Sequence, residues 1–146
     1  MQMVTFRSEA FIEIPLPPEV SFGEALSRLD PDTNSFYLLE LDQESYMQCG
    51  GCQSACAVEV RKADAAGVYR SYAVGRDSSK RAPTRIVMSN GGVWVQEGEV
   101  LTAIDAAVLL DCFFKGVPLP PIYSLRDREG DPVQRPSEQD ELDQTD

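Results

Sequence analysis

The chain has 146 residues, of which 42% are hydrophobic, and this length and composition are typical of one domain with a hydrophobic core. It carries 24 acidic and 13 basic residues, so its formal net charge is -11, and it contains no histidine. Ser-His-Asp, Cys-His and HExxH chemistry are therefore excluded. No apolar run approaches the roughly 20 residues that span a bilayer, and Glu9 and Glu13 lie where a signal peptide would be basic and then apolar. We therefore expect a cytoplasmic protein without membrane contact.

The charge is unevenly distributed along the chain. Residues 127–146 contain eight acidic and two basic residues and few branched aliphatic ones, and such a composition cannot offset the entropy cost of ordering. We therefore predict one domain over residues 1–126 and a disordered acidic tail over residues 127–146. Residues 61–85 have the opposite sign, with seven basic residues against Asp64 and Asp77.

Local patterns predict the first elements. Ser21 and Glu24 form a capping box that begins a helix over residues 22–29, which Pro31 ends. Strand-like runs follow at residues 35–42, 46–49, 57–61 and 68–74. Asn90 and Gly91 separate two apolar runs, at residues 86–88 and 93–96. Because both turn residues tolerate positive φ, this pattern predicts a β-hairpin.

A second helix is predicted over residues 103–115. Thr102 caps it, Asp105 occupies its third position, and Gly116 and Pro118 end it. Its apolar face is expected to pack on the sheet and to consist of Ile104, Ala107, Val108 and Cys112, together with Leu109 and Phe113. The order of elements predicts an α+β fold, in which an antiparallel sheet of five or six strands is flanked by helices.

The cysteines raise an alternative function. Cys49, Cys52 and Cys56 have the spacing C-x2-C-x3-C, which could place three thiolates around a metal ion or an iron-sulfur cluster. A fourth ligand is the difficulty, because Cys112 lies in the expected core face of the second helix. The simpler interpretation is that these cysteines are buried or loop thiols in a reducing cytoplasm, with no metal-binding role. We predict no metal and no cofactor, and a small cysteine-ligated metal or iron-sulfur protein remains the alternative.

A second alternative rests on the basic loop at residues 75–84. Arg76, Lys80 and Arg81 could follow phosphates, and a nearby tyrosine, Tyr69 or Tyr72, could stack on bases. The net charge of -11 opposes this nucleic-acid adaptor function, because the chain repels a polyanion. GxGxxG, P-loop and GxSxG motifs are absent from the sequence. We therefore predict neither enzyme activity nor direct nucleic-acid binding.

Several segments occur in a recognisable order. They are residues 36–41 (FYLLEL), Tyr46-Met47-Gln48 with Gly50-Gly51, residues 58–61 (VEVR), Tyr72, Gly75-Arg76, the hairpin, residues 99–102 (EVLT), Asp105-Ala106-Ala107, Phe113-Phe114 and Gly116-Val117-Pro118. This succession, over about residues 20–127, resembles the deaminase-associated immunity proteins of bacterial polymorphic toxin systems. The resemblance implies an antiparallel sheet flanked by helices, and an antitoxin that binds a cognate toxin domain and blocks its active site. The cysteines are not part of the pattern.

Contact residues are predicted from chemistry, since the resemblance does not identify them. The toxin is expected to be a nucleic-acid-targeting deaminase, which needs a basic groove. An acidic protein can reach that groove rapidly and occupy it in place of phosphates. The candidate partner-binding residues are two acids at a strand end, two hairpin acids and two aromatic anchors: Asp42, Glu44, Glu97, Glu99, Tyr46 and Trp94. Two placements of Trp94 remain open: a helix covers it, or it is half-exposed and bordered by Glu97 and Glu99, as is typical of a protein-binding anchor.

Overall fold

A computed structural model describes residues 4–135. These residues form eight strands and two α-helices. The strands are β1 (Thr5–Ser8), β2 (Phe36–Glu40), β3 (Tyr46–Gly51), β4 (Cys56–Ala63), β5 (Tyr69–Gly75), β6 (Pro83–Ile86), β7 (Val93–Gln96) and β8 (Ser124–Asp127). The helices are α1 (Phe22–Leu26) and α2 (Ala103–Lys115), and Glu97–Glu99 forms one 3-10 turn. The predicted α+β fold, an antiparallel sheet flanked by helices, is confirmed.

Six strands form the main sheet in the order β1-β2-β3-β4-β5-β8, and all neighbours are antiparallel. The four central strands correspond to the runs predicted from the sequence. The two edge strands, β1 and β8, were not predicted. Both have only four residues, and β8 has no alternation of buried and exposed positions. They are recognisable as strands only because a neighbour pairs with them.

One face of the main sheet carries the core. Alternate residues of the central strands are almost fully buried there, and they are Tyr37, Leu39, Met47, Cys49, Val58, Val60 and Val74. Both helices cover this face, since Phe22 and Leu26 of α1 and Leu109 and Leu110 of α2 belong to the same cluster. Burial of a large aliphatic or aromatic side chain contributes about 1.5–3 kcal/mol, so this layer supplies most of the stability.

The ends of α2 agree with the prediction, but its predicted core face is only partly right: Leu109 is buried, and Ala107 and Phe113 pack against the core, as predicted, whereas two other predicted residues are exposed. Asp105 N donates to Thr102 Oγ1 at 3.2 Å, and Gly116 adopts a φ of 72°. Ile104 is 78% exposed and Val108 is 41% exposed. The buried stripe instead consists of Ala103, Ala106, Leu109 and Leu110. Both stripes have helical spacing, so the sequence pattern did not distinguish them.

A hydrogen bond from the following loop helps to set the rotation of α2. Tyr123 Oη donates to Asp105 Oδ1 at 2.6 Å, and the Arg76 guanidinium lies 3.5 Å from the same oxygen. Burial and this hydrogen bond raise the pKa of Tyr123 to about 12. Burial by itself would raise the pKa of Asp105, but the hydrogen bonds from Tyr123 and Thr102 leave it lowered. The side of α2 that carries Asp105 therefore faces the segment before β8.

The predicted hairpin is confirmed as the separate two-stranded pair β6–β7. Its first strand begins at Pro83 and ends at Ile86, so it lies earlier than the predicted run at residues 86–88. Ile86 pairs with Val93, and residues 87–92 form the connection. Gly92 has a φ of 115°, and a Cβ at that position would lie 2.2 Å from the Ile86 carbonyl oxygen. Glycine is therefore required at this end of the connection.

The hairpin connection is tied to the start of β2 and to the residues after β1. Glu9 Oε1 accepts hydrogen bonds from Ser35 N at 2.8 Å and from Ser35 Oγ at 2.7 Å, and Glu9 Oε2 accepts from Ser89 Oγ at 2.5 Å. The bond from Ser89 and those from Ser35 lower the pKa of Glu9. Through these contacts the hairpin is positioned beside the face of the sheet that the helices leave uncovered.

The chain continues in ordered contact beyond the predicted domain boundary at residue 127. Asp127 ends β8, Arg128 N donates to Ser71 O at 3.0 Å, and the Arg81 guanidinium lies 2.8 Å from Asp131. The predicted boundary is therefore too early, because β8 and the turn after it pair with β5 and the basic loop. Disorder was predicted for the whole tail, and its part at residues 136–146 lies outside the described residues.

Candidate partner-binding surface

The second face of the main sheet is partly open, and we call it the open face. It is formed by half-buried side chains that alternate with the core residues, namely Leu38, Glu40, Tyr46, Gln48, Glu59, Arg61 and Ser71. This face carries both signs of charge. Arg61 lies 3.2 Å from Glu44, and Arg7 lies 3.8 Å from Glu40.

Three of the predicted contact residues lie together at one end of the open face. Asp42 occupies the turn between β2 and β3, where its Oδ1 accepts hydrogen bonds from the backbone N of Glu44 and of Ser45, both at 2.8 Å. Glu44 is exposed and pairs with Arg61. Tyr46 begins β3 directly opposite Arg61. These three residues are therefore close to one another, and the Asp42 carboxylate also supports its own turn.

The hairpin acids behave differently from one another. Glu97 is exposed, as expected. The expectation that Glu99 presents its charge to solvent is wrong, because Glu99 is 5% exposed. Its two oxygens accept from the Arg126 guanidinium at 2.8 and 2.9 Å, and Glu99 Oε1 also accepts from the backbone N of Gln96 at 2.9 Å. Glu99 is thus a buried ion-pair partner, and its side chain is not available to a protein that binds the surface.

Trp94 is half-buried, but Glu97 and Glu99 do not border it as predicted; its neighbours are arginines, two of which pair with carboxylates. The Arg135 guanidinium carbon lies 5.7 Å from the centroid of its ring. Arg85 is its partner across the hairpin. Arg126 and Arg128 line the same hollow, and Glu99 turns away to pair with Arg126. Trp94 is therefore bordered by guanidinium groups.

A cleft of about 300 Å³ separates the hairpin from the open face. It is lined by Gln48, Gly50, Ala57, Glu59 and Ala73 of the sheet, Met88, Asn90, Val93, Trp94 and Val95 of the hairpin segment, and Arg126 and Arg128. The Glu59 carboxylate pairs with the Arg128 guanidinium. The side chains here can stack and can donate or accept hydrogen bonds, which are properties of a contact surface.

Sequence reasoning missed Arg126 and Arg128 as residues of this cleft. They are two positions apart on and just after β8, so both side chains lie on the same side of the strand. That spacing was a usable signal. The predicted boundary separates Arg126 from Arg128, and β8, which brings the two side chains together, is not recognisable from the sequence.

The predicted contacts do not all meet. Asp42, Glu44 and Tyr46 lie where β3 begins, whereas Glu97 lies beside the loop after β5, where its neighbour Gly98 accepts a hydrogen bond from Arg76 N at 2.8 Å. These two groups lie at opposite ends of the sheet. Tyr46 pairs with Arg61 of β4, which pairs with Ser71 near the start of β5, whereas Glu97 lies beside Gly75 at the end of β5. Trp94 lies between the two groups, over the cleft.

The cysteines lie in different environments. Cys49 and Cys56 are buried in the core, whereas Cys52 in the β3–β4 turn and Cys112 on α2 are half-buried. A hydrogen bond with Cys56 and burial raise the pKa of the Cys49 thiol well above its usual value. Among residues 4–135, no three cysteine or carboxylate side chains are grouped as metal ligands would be. The cysteine arrangement therefore lacks the geometry that a cluster requires.

We expect that a chelator leaves the melting temperature unchanged, because metal-dependent folding needs ligands that meet around the ion in the folded state, and residues 4–135 contain no such group. Thermal melts with and without EDTA, together with metal analysis of the purified protein, measure this. About one equivalent of zinc or iron, with loss of the folded state on chelation, would contradict the expectation.

The basic band at residues 61–85 is largely neutralised. Four of its seven basic residues form salt bridges, and these are Arg61, Arg70, Arg76 and Arg81. Arg70 contacts two carboxylates, Asp64 at 2.9 Å and Asp127 at 3.1 Å. A phosphate backbone would have to compete with these carboxylates, so the arrangement does not favour the nucleic-acid adaptor function.

Comparisons of the chain with protein-family models, with curated proteins and with solved structures give no match. Within the described residues, neither helix has the length and apolar character needed to cross a lipid bilayer.

Proposed function

We propose that this protein is an immunity protein, which binds a cognate toxin domain and neutralises it by occluding its active site. We further propose that the toxin is a deaminase acting on nucleic acid, and that the two proteins meet in the cytoplasm. The resemblance along residues 20–127 supports this function. The observation that carries it is the amount of acidic charge that the surface leaves unpaired.

That charge can be counted. Residues 4–135 contain 19 acidic side chains, and nine of these form salt bridges within that range. The others present negative potential to solvent. A toxin that acts on nucleic acid needs positive potential around its substrate, and opposite potentials accelerate association by about 10–1,000-fold. An acidic binder can therefore reach the groove quickly and exclude nucleic acid from it.

The proposed contacts follow from chemistry and accessibility. Asp42, Glu44 and Tyr46 combine two acids with an aromatic side chain, and Glu97 adds an exposed acid. We retain Trp94 as an aromatic anchor, with the qualification that its guanidinium neighbours favour a neutral or acidic group of the toxin. Glu99 is withdrawn from the proposed contacts because it is buried.

The test uses the full chain and a nucleic-acid deaminase toxin domain, sought among the genes next to the one that encodes this chain. We expect one equivalent of this protein to abolish deamination of a nucleic-acid substrate. We also expect the association rate constant to fall by about tenfold or more between 50 and 500 mM salt, because screening weakens steering. Stopped-flow binding and a deamination assay measure the two quantities. Full deaminase activity in the presence of excess protein would reject the proposed function.

A further inference from the structure

An apolar groove lies on the helical side of the molecule, away from the open face. Its apolar lining is formed by Phe11, Ile14, Pro15, Val20 and Ala25, and the ring of Tyr37 also borders it. The cavity is about 160 Å³, which is enough for one aliphatic side chain of a partner. Glu13, Glu24 and Arg28 complete its rim.

The residues beside the groove expose more apolar surface than a solvated loop requires. Ile12 is 90% exposed and Phe11 is 42% exposed. The Arg28 guanidinium carbon lies 5.6 Å from the centroid of the Phe11 ring, so one face of that ring is covered while its edge borders the groove. An apolar hollow beside exposed aliphatic and aromatic side chains, with charged groups at the rim, has the organisation of a protein-binding surface.

The charge around this groove is unlike that of the rest of the molecule. Six exposed acids lie between residues 9 and 32, where Arg28 is the single basic residue; they are Glu9, Glu13, Glu19, Glu24, Asp30 and Asp32. None of the six forms a salt bridge with another residue in 4–135. Over the remaining described residues, nine of thirteen acids are in salt bridges. Two of these six acids, Glu13 and Glu24, line the groove itself, and neither is in a salt bridge within residues 4–135.

We propose that this groove binds a basic segment of the toxin domain. An aliphatic side chain of that segment enters the hollow beside Ile12, and flanking lysine or arginine side chains pair with Glu13 and Glu24. This inference rests on the proposed function and adds to it a second contact surface, on the layer opposite the open face.

The negative charge at the groove rim favours a basic segment over a second copy of this chain as the group that occupies the groove. A basic segment can form ion pairs with Glu13 and Glu24 at the groove rim, whereas near Trp94 the carboxylates Glu59 and Glu99 already pair with Arg128 and Arg126. A second copy of this chain is disfavoured, because each copy carries a net charge of -11 and the rim acids of two grooves would face one another. A basic partner with an exposed aliphatic side chain satisfies both the apolar lining and the rim.

Two variants test the groove against a matched control. Glu13→Lys and Glu129→Lys each change the net charge by the same amount, both positions are exposed, and neither carboxylate forms a salt bridge within residues 4–135. We expect Glu13→Lys to slow association with the toxin domain by about tenfold at low salt and Glu129→Lys to slow it by less than about twofold. We expect Ile12→Ser to speed dissociation by about tenfold. Circular dichroism checks that each variant folds.

A second probe makes the groove testable without the toxin. An alternating lysine-leucine peptide is titrated into the full chain, and amide chemical shifts are followed by NMR. We expect shift changes at residues 11–14 and 24–28 that Glu13→Lys and Ile12→Ser both reduce. Sedimentation of the free chain as a dimer that Ile12→Ser dissociates would instead identify a second copy as the occupant and would overturn the inference.

The outcomes separate the two proposals. If the toxin is inhibited while Glu13→Lys and Ile12→Ser behave like Glu129→Lys, the groove inference is overturned and the proposed function stands. If the toxin is neither bound nor inhibited while the peptide binds at the groove, the proposed function fails and the groove stands as a site for basic apolar segments. A peptide that shifts no groove amides overturns the inference whether or not the toxin is inhibited.

Discussion

Replacing Glu99 with alanine is expected to lower the free energy of unfolding by about 3–5 kcal/mol, because it leaves the buried Arg126 charge without its partner. The side chains of Arg126 and Glu99 are 9% and 7% exposed, and two hydrogen bonds of 2.8 and 2.9 Å join them. The loss also removes an acceptor from the backbone N of Gln96. Urea denaturation, followed by tryptophan fluorescence and circular dichroism, measures the change.

The control for this variant is two residues away. Glu97→Ala removes an acid of the same turn whose side chain is exposed, and it should change stability by less than about 0.5 kcal/mol. The double variant Glu99→Leu, Arg126→Met should recover much of the loss, since apolar residues of similar volume often replace a buried ion pair without cost. A cost below about 1 kcal/mol for Glu99→Ala would mean that water reaches the pair.

Reversing Glu97 and Glu99 together would not report on the toxin contact, because Lys at 99 would place two cations side by side beneath the hairpin. Glu97→Lys by itself keeps the fold and changes an exposed charge. Loss of binding by any Glu99 variant therefore has to be read against its folding.

Replacing Leu109 with alanine is expected to cost about 3–4 kcal/mol, because the residue is fully buried and the cavity left behind can collapse only in part. Leu109 belongs to the α2 stripe that contacts α1 and the sheet. The neighbouring Val108→Ala removes a side chain that is 41% exposed and should cost less than about 1 kcal/mol. Urea denaturation measures the loss in the free energy of unfolding for each variant. The ratio of the two losses shows how α2 is rotated about its own axis relative to the sheet.

Equal losses for Leu109 and Val108 would indicate that α2 faces the sheet through the stripe predicted from the sequence. Phe113 is partly buried against the core, so its truncation should cost less than that of a fully buried phenylalanine, for which about 3–5 kcal/mol is usual. The relative losses of stability in the alanine variants of Leu109, Phe113 and Val108 therefore show which face of α2 packs on the sheet.

The sequence by itself determined the features whose physics is local. Thr102 and Asp105 cap α2 within three residues of one another, and Gly116 ends it because glycine adopts positive φ without strain. The four central strands of the sheet follow from runs of β-branched and aromatic residues, and the hairpin follows from its Asn-Gly-Gly connection. The cluster of Asp42, Glu44 and Tyr46 was also predictable, since those residues are adjacent in the chain.

Only the tertiary structure decided the features that depend on distant partners. Ser124–Asp127 is a strand because β5 offers it an edge, and Glu99 is buried because Arg126, 27 residues later, neutralises it. α2 has two stripes of helical spacing, and packing against the sheet selects one. The groove at Phe11 combines residues before β2 with α1 and the Tyr37 ring. Backbone capping and turn preferences act within a few residues, whereas burial and charge pairing depend on which residues the completed fold brings into contact.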